Sequence, residues 1–196
     1  IDNDPNLSAF IIEKKFGGIT INPEEHKMGI KGSSTCQVFF NDCKVPVENL
    51  LSERGNGFKI AVNILNVGRV KLGAGVIGAC KEVISRAVQY ANERIQFSKP
   101  ISSFGAIRHK LAEQVVRTFA AESALYRASK NIEEAINRLV SEGVKETEAK
   151  LKGIAQYAAE AAILKVHGSE TLDYVIDEGV QVLGALPPGL FFSGSA

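Results

Sequence analysis

Arg94, Gln96 and Phe97 lie within four positions of each other in "NERIQFSKPISSFGAI", between two long segments of apolar periodicity. A guanidinium with five donors, a side-chain amide and a flat aromatic face at a helix end would suit a phosphate-bearing ligand, with a charge-assisted bond contributing about 1.5 to 3 kcal/mol. The same arginine has a purely structural reading. In the last turn of the first helix a cation answers the helix dipole for about 0.3 to 1 kcal/mol. A second grouping occurs in "NILNVGRVKLGAG", where Asn66, Arg69 and Gly73 recur at i, i+3 and i+7 on one side of a helix. Gly68 in mid-helix costs roughly 1 kcal/mol relative to alanine, so close packing at a helix crossing or approach of a ligand should offset it.

Other chemistry is absent from the pattern. His26, His109 and His167 are far apart and lack ligand spacing, so no metal site is expected. Cys36, Cys43 and Cys80 form no CxxC pair, which argues against a zinc site or disulfide framework and for a reducing, cytoplasm-like compartment. No Ser/His/Asp or Cys/His arrangement, phosphate-binding loop or dinucleotide fingerprint is present. A formal net charge of +1 gives no reason to expect nucleic acid or an anionic membrane as partner. No apolar run is long enough to cross a bilayer, so no transmembrane segment is expected. The chain opens on Ile1 and its only methionine is Met28, which reads as a start inside a larger frame.

The elements that must position these residues fall into two parts. Up to about Leu51, "AFIIEKKFGGITI" and "STCQVFFNDCKVPV" read as strands, broken at Gly17-Gly18, turned at Asn41-Asp42 and closed by Pro46. Beyond "ERGNGF" the period changes to three and four. Phe58, Ala61, Val62, Leu65, Leu72, Val76, Ala79, Val83, Val88, Ala91 and Ile95 predict one helix of roughly 55 Å. A second is expected from an N-cap near Ser103 to a stop at Gly143. A third starts near Glu146 and continues through Val180, with a weak point at Gly168. "KETEAKLK" reads as solvated helix face. The fold class is therefore α+β, a short β segment followed by an up-and-down bundle of long helices, with a boundary between residues 1–52 and 53–196.

The stretches "HKMGIKGSSTCQVFFNDCKVPVENLLSERGNGFKIAVNILNVGRV", "YANERIQFSKPISSFGAIRHKLAE" and "VIDEGVQVLG", in that order, closely resemble the acyl-CoA dehydrogenase family, most of all its very-long-chain branch. The resemblance implies the end of a middle β domain followed by a truncated C-terminal helical bundle domain. It implies FAD as cofactor, fatty acyl-CoA as substrate in fatty acid β-oxidation, and electron-transferring flavoprotein as acceptor. A homodimer or homotetramer is implied, in the cytoplasm or, in a eukaryote, the mitochondrial matrix.

By the same resemblance Arg94, Gln96 and Phe97 reach the FAD of a neighbouring subunit, and Gln181, Val182, Leu183 and Gly184 meet its adenosine end. Asn66, Val67, Gly68 and Arg69 line the acyl-CoA pocket, with Arg69 orienting a catalytic glutamate. That glutamate comes in most members from a "YEGT" or "FEGT" loop further on and in a minority from the position held here by Gly68, so this chain carries no catalytic base and is expected to be inactive alone. Where the family pattern has "GGxGF" the chain reads "GALPPGLFFSGSA", consistent with a frameshift, splice or cloning end. Two other readings use the same fold: a non-catalytic assembly or scaffold subunit, and a flavin oxidase or monooxygenase relative.

Overall fold

The computed structural model describes residues 5–184; the departure of the tail from the family pattern lies outside them. The chain divides into two compact units between Val62 and Asn63. The division falls inside the first helix because the Gly57 N–H donates to the Leu7 carbonyl at 2.7 Å and the Gly55 N–H to Ser8 Oγ at 2.9 Å, tying the helix start to the β part.

The first unit holds two antiparallel ladders. Strand β1 (Ala9–Phe10) pairs with β4 (Leu50–Leu51), and β2 (Ile19–Ile21) pairs with β3 (Val38–Phe40). Pro46 therefore does not close the region. It caps a 3-10 turn, Val47–Asn49, that redirects the chain into β4. The glycine break is obligatory, since Gly17 and Gly18 have φ of 74° and 67°. A Cβ on Gly18 would also stand 2.3 Å from the Asn41 carbonyl oxygen. In the following loop Glu24 accepts from the Ser34 hydroxyl, from the Thr35 N–H at 2.8 Å and from Cys36 Sγ at 3.4 Å, bonds that hold its carboxyl below the usual value.

The second unit is a helical bundle with one short hairpin, built from α1 (Gly57–Glu93) beyond Val62, α2 (Gly105–Ser141), α3 (Glu146–Gln156) and α4 (Ala158–Val182). Its organising feature is a seven-residue period. On α1 the inward positions are Asn66, Val70, Gly73, Ile77, Cys80, Ile84, Ala87 and Ala91; on α2 they are Ile107, Leu111, Gln114, Thr118, Ala121, Leu125 and Ala128. Alternating steps of four and three keep one seam facing the neighbouring helix. Contacts of α1 with α2 run in opposite senses: Ile77 meets Leu125, and Ala87 and Ala91 meet Leu111 and Ile107. Helix α4 runs back along α2 and beside α1, with Val175 against Val76, Cys80 and Val83, and Val182 against Ala87 and Ala91.

Small residues set how closely these helices approach. A Cβ on Gly73 would stand 3.4 Å from Leu125 Cδ1, and one on Gly168 would stand 3.8 Å from Gly73 Cα. Gly168 is thus a crossing point inside a continuous helix, not a weak point. The helix expected to run unbroken from near Glu146 is instead interrupted at Tyr157 (φ −111°, ψ 30°), which separates α3 from α4. Ser103 is likewise not the N-cap of α2. Its hydroxyl donates to the Pro100 carbonyl at 2.7 Å within a 3-10 turn, Ile101–Ser103, and Phe104 occupies the cap. Gly143 does follow the end of α2 in the left-handed region, at φ 86°.

The apolar stripe read from the sequence of α1 joined two faces. Phe58, Leu65, Leu72 and Val88 are 66, 56, 43 and 38% exposed, because the seam proper uses small and polar residues that a hydrophobic pattern under-weights. The expectation about apolar runs also needs correction. By length and composition α1 could cross a membrane, with an 18-residue window of mean hydropathy 1.4. Lysines and asparagines interrupt the run and lower that average without taking it out of the spanning range, and a core helix of a bundle passes the same test; Cys80, Ala87 and Ala91 are buried in the bundle.

Two outcomes test this packing. Gly153→Ala should lower the melting temperature, because the new Cβ would lie 2.5 Å from Ile136 Cγ1 and 3.3 Å from the Ile136 backbone nitrogen. Gly68→Ala, where nothing lies within 4 Å, should raise it, since the helix propensity gain adds about 1 kcal/mol of stability. Burial pushes the Cys80 thiol above its ordinary value of 9.0, so the unfolded chain ionises first as pH rises. The stability associated with the protonated thiol should be intact below that value and lost above it. Urea midpoints at pH 7.5 and 10 under reducing conditions should differ less for Cys80→Ala than for the unsubstituted chain.

Candidate functional site

Helix α1 ends where the Arg94 N–H donates to the Tyr90 carbonyl at 2.8 Å. Arg94 stands directly after the helix rather than in its last turn, which contains no basic residue. Its side chain is exposed and has no ion pair or hydrogen bond among the described residues. A two-residue hairpin follows, β5 (Ile95–Gln96) against β6 (Lys99–Pro100), with Ile95 opposite Pro100 and Gln96 opposite Lys99. Both turn residues are left-handed, Phe97 at φ 51° and Ser98 at φ 62°. That is the type I′ geometry matching strand twist, normally supplied by Asn-Gly. For L-residues other than glycine it costs roughly 1–2 kcal/mol per position.

The surroundings hold this turn in place. The Ile101 N–H donates to the Arg94 carbonyl at 2.9 Å, the Phe97 ring meets Phe104 edge-on at 6.1 Å, and Lys99 Nζ sits 4.5 Å from the centre of the Phe104 ring. Phe97 remains 86% exposed. Nothing in the turn requires an aromatic there, and strain of this kind concentrates where a side chain must be presented.

The C-terminal end of α4 comes to the same place. Val182 packs on Ala87 and Ala91 with Ile101, Ile107 and Leu111 around them, so the hairpin base, the start of α2 and the end of α4 share one apolar knot. The Val182 and Leu183 side chains are buried, whereas Gln181 and Gly184 are exposed, Gly184 at φ 67°. Gln181 and Gly184 therefore join Arg94, Gln96 and Phe97 at one end of the bundle, across 87 positions of sequence.

Asn66, Val67, Gly68 and Arg69 lie elsewhere, roughly 35–40 Å back along α1. Asn66 is 1% exposed and its Oδ1 accepts from Arg69 Nη1 at 3.0 Å, which fixes the guanidinium against the helix. Gly68 is exposed and nothing lies within 4 Å of a Cβ placed on it; the close crossing expected there occurs at Gly73. Leu65, Leu72, Gly75 and Ala79 continue the same open face, with Gly75 equally unobstructed. The sequence reading missed a groove of about 470 Å³ between α1 and α2, floored by Val70, Ala74, Ile77 and Leu125 and rimmed by Lys81 and Tyr126. Finding it requires knowing which faces of two helices meet. No group of metal-ligating residues occurs among the described residues.

The fold and these two groupings define a long-helix bundle that presents a strained basic-aromatic hairpin at one end and an asparagine-arginine pair beside an open glycine towards the other. Residues 55–186 match the family model "Acyl-CoA dehydrogenase, C-terminal domain", and the chain belongs to the acyl-CoA dehydrogenase family. It is 48% identical over 94% of its length to a "Probable acyl-CoA dehydrogenase" of Bacillus subtilis (strain 168), of which it covers 31%. It is 40% identical over 92% of its length to the human "Very long-chain specific acyl-CoA dehydrogenase, mitochondrial", covering 25% of it. Among solved structures, an acyl-CoA dehydrogenase complexed with FAD from Bacillus anthracis superposes with a TM-score of 0.87 at 47% identity, over 97% of this chain and 32% of that one. The chain thus spans about a third or less of the length of these relatives.

Ser98→Gly should stabilise the chain by about 1 kcal/mol, because glycine occupies the left-handed region without the Cβ clash. A urea titration reads this directly; an unchanged or lowered midpoint would show that the turn is not strained.

Proposed function

We propose that this chain is the C-terminal part of an FAD-dependent acyl-CoA dehydrogenase, and that Arg94, Gln96, Phe97, Gln181 and Gly184 form one face of an FAD site. The observation that carries the reading is the convergence of the hairpin and the end of α4 through Val182, Ala87 and Ala91. The donor set fits an extended dinucleotide. An unpaired guanidinium suits the pyrophosphate, an exposed aromatic offers a stacking face, and the Gln181 amide with the backbone from Val182 to Gly184 offers hydrogen bonds to the adenosine end. FAD supplies, when bound, acceptance of a hydride from the substrate's β carbon.

The second grouping is assigned to a fatty acyl-CoA. The face bearing Leu65, Gly68, Leu72, Gly75 and Ala79 is apolar and smooth, which suits an alkyl chain lying along the helix. Arg69, held by Asn66, orients the carboxylate that takes the α proton. No carboxylate stands in the 66–69 segment, and the open space at Gly68 accommodates one delivered by another part of the complete protein. Because the two groupings are separated by roughly 35–40 Å along one helix, Arg94 and Arg69 of one chain serve different active sites. That arrangement calls for a homo-oligomer, and the family resemblance supports an electron-transferring flavoprotein as its electron acceptor. A non-catalytic scaffold subunit would have no use for the exposed Arg94 and Phe97.

Arg94→Ala in the complete protein should weaken FAD binding by about 1.5 to 3 kcal/mol, the range for a charge-assisted bond, while leaving the apoprotein's melting temperature nearly unchanged. Unchanged FAD affinity in equilibrium dialysis would remove Arg94 from the cofactor site, and a large loss of apoprotein stability would assign it to the fold instead.

A further inference from the structure

Beside its buried seam α2 carries a second row of residues, about a third of a turn away around the helix. Ala112, Val115, Phe119, Ser123 and Tyr126 recur at steps of three and four. The three large members, Val115, Phe119 and Tyr126, are 49, 69 and 66% exposed, and Val116 widens the row on one side. Helices α1 and α4 pack on the seam through Ile107, Leu111, Ala121 and Leu125, which leaves the row facing outward.

The charges at the two ends of this row differ in sign. Arg108 and His109 precede it, Glu133 and Glu134 follow it, and Arg108 and Glu133 lie on the line of the row itself. The exposed side chains of Arg108 and Glu133 have no ion pair or hydrogen bond among the described residues. Other charges nearby are already engaged: Glu122 with Lys81, Glu113 with Arg117, and Lys130 with Glu134 at 3.9 Å. Laid parallel against a copy of itself, the row would set Arg108 against Arg108 and Glu133 against Glu133. Laid antiparallel about a two-fold axis between Ala120 and Ala121, it brings Arg108 to Glu133 and Val115 to Tyr126, with the two Phe119 rings flanking the axis. His109 then comes opposite Glu134, and Lys130 opposite Ala112, so like charges do not meet. A partner of other sequence would have to supply both charges and both apolar halves; a second copy does so from α2 alone.

We propose that two copies of this chain meet antiparallel through the outer face of α2, with Phe119 at the two-fold axis and a reciprocal Arg108–Glu133 ion pair closing each end. The contact runs for roughly 38 Å along each helix, and every favourable pair in it occurs twice. The apolar centre supplies the driving force, while the charged ends fix direction and register. This assigns a contact surface to the homo-oligomer that the two groupings on α1 call for, yet it rests on the α2 face alone. It is therefore tested without FAD, and its failure leaves the cofactor site standing.

Sedimentation equilibrium of the 196-residue chain at micromolar concentration should show a dimer. Phe119→Asp should convert it to a monomer that keeps the helical circular dichroism of the bundle, since the ring is 69% exposed and carries little of the interior packing. Arg108→Glu and Glu133→Arg should each weaken the dimer on the order of tenfold in Kd, because two opposite-charge pairs become two like-charge pairs. The variant carrying both substitutions restores the pairs in reverse and should recover most of that loss. A monomer throughout, as expected where another part of the complete protein or a different protein covers the face, overturns the proposal. So does a dimer indifferent to Phe119→Asp, or a double charge reversal that dimerises no more tightly than the single ones.

Discussion

Everything in the helical unit depends on how closely α1 can approach α2 and α4. The seam of α1 is built from Gly73, Cys80, Ala87 and Ala91 alternating with Val70, Ile77 and Ile84, and the small members let Leu125 and Gly168 come to van der Waals distance of the helix backbone. A seven-residue repeat sustained on two 37-residue helices supplies this complementarity over their shared length. Close packing of this kind is intolerant of added volume, since each methyl group must displace a neighbouring helix rather than a side-chain tip. Its return is rigidity over a long lever. The hairpin, the start of α2 and the end of α4 are fixed relative to one another because Ala87, Ala91 and Val182 leave no slack.

That constraint explains what could be read from the sequence. Helix periods and the position of Gly143 follow from local chemistry, so the long helices and the stop of α2 were legible. Which face of α1 turns inward was not. Leu65 and Leu72 are the conspicuous apolar residues, yet they are exposed, while Asn66, Gly73 and Cys80 are inside. A glycine is informative only once its neighbour is known: Gly68 looked like a crossing and faces open space, while Gly73 and Gly168 make the crossing. The break at Tyr157 carries no glycine or proline, so no local signal marked it.

Candidate site residues were legible to a different degree. The oddity of Arg94-Ile95-Gln96-Phe97 was visible because an arginine and an aromatic are expensive choices at a turn. What the sequence alone did not reveal is that Phe97 and Ser98 both lie in the left-handed region. That fact turns an unusual composition into a measurable strain, about 1–2 kcal/mol for each residue, which is a substantial fraction of the stability of an ordinary domain. Convergence of this hairpin with Gln181 and Gly184 depends on α1 and α4 running side by side, a tertiary fact that periodicity does not contain.

Apolar surface on the outer side of α1 completes the physical picture. Leu65, Leu72 and Val88 on α1, with Val115, Val116, Phe119 and Tyr126 on α2, are all more than a third exposed. Scattered exposed leucines are ordinary, but a row that recurs at three- and four-residue steps along one helix, as Leu65, Leu72 and Ala79 do with Gly68 and Gly75 between them, is the surface of an element meant to be covered. The same row contains Gly68, one turn from the Asn66–Arg69 pair. Covering this face would therefore enclose the guanidinium in a low-dielectric wall, where its single bond to Asn66 leaves further N–H donors available for a carboxylate. The open face and the anchored arginine are in this respect one device: the row supplies the apolar enclosure, and the pair supplies the charge that the enclosure strengthens.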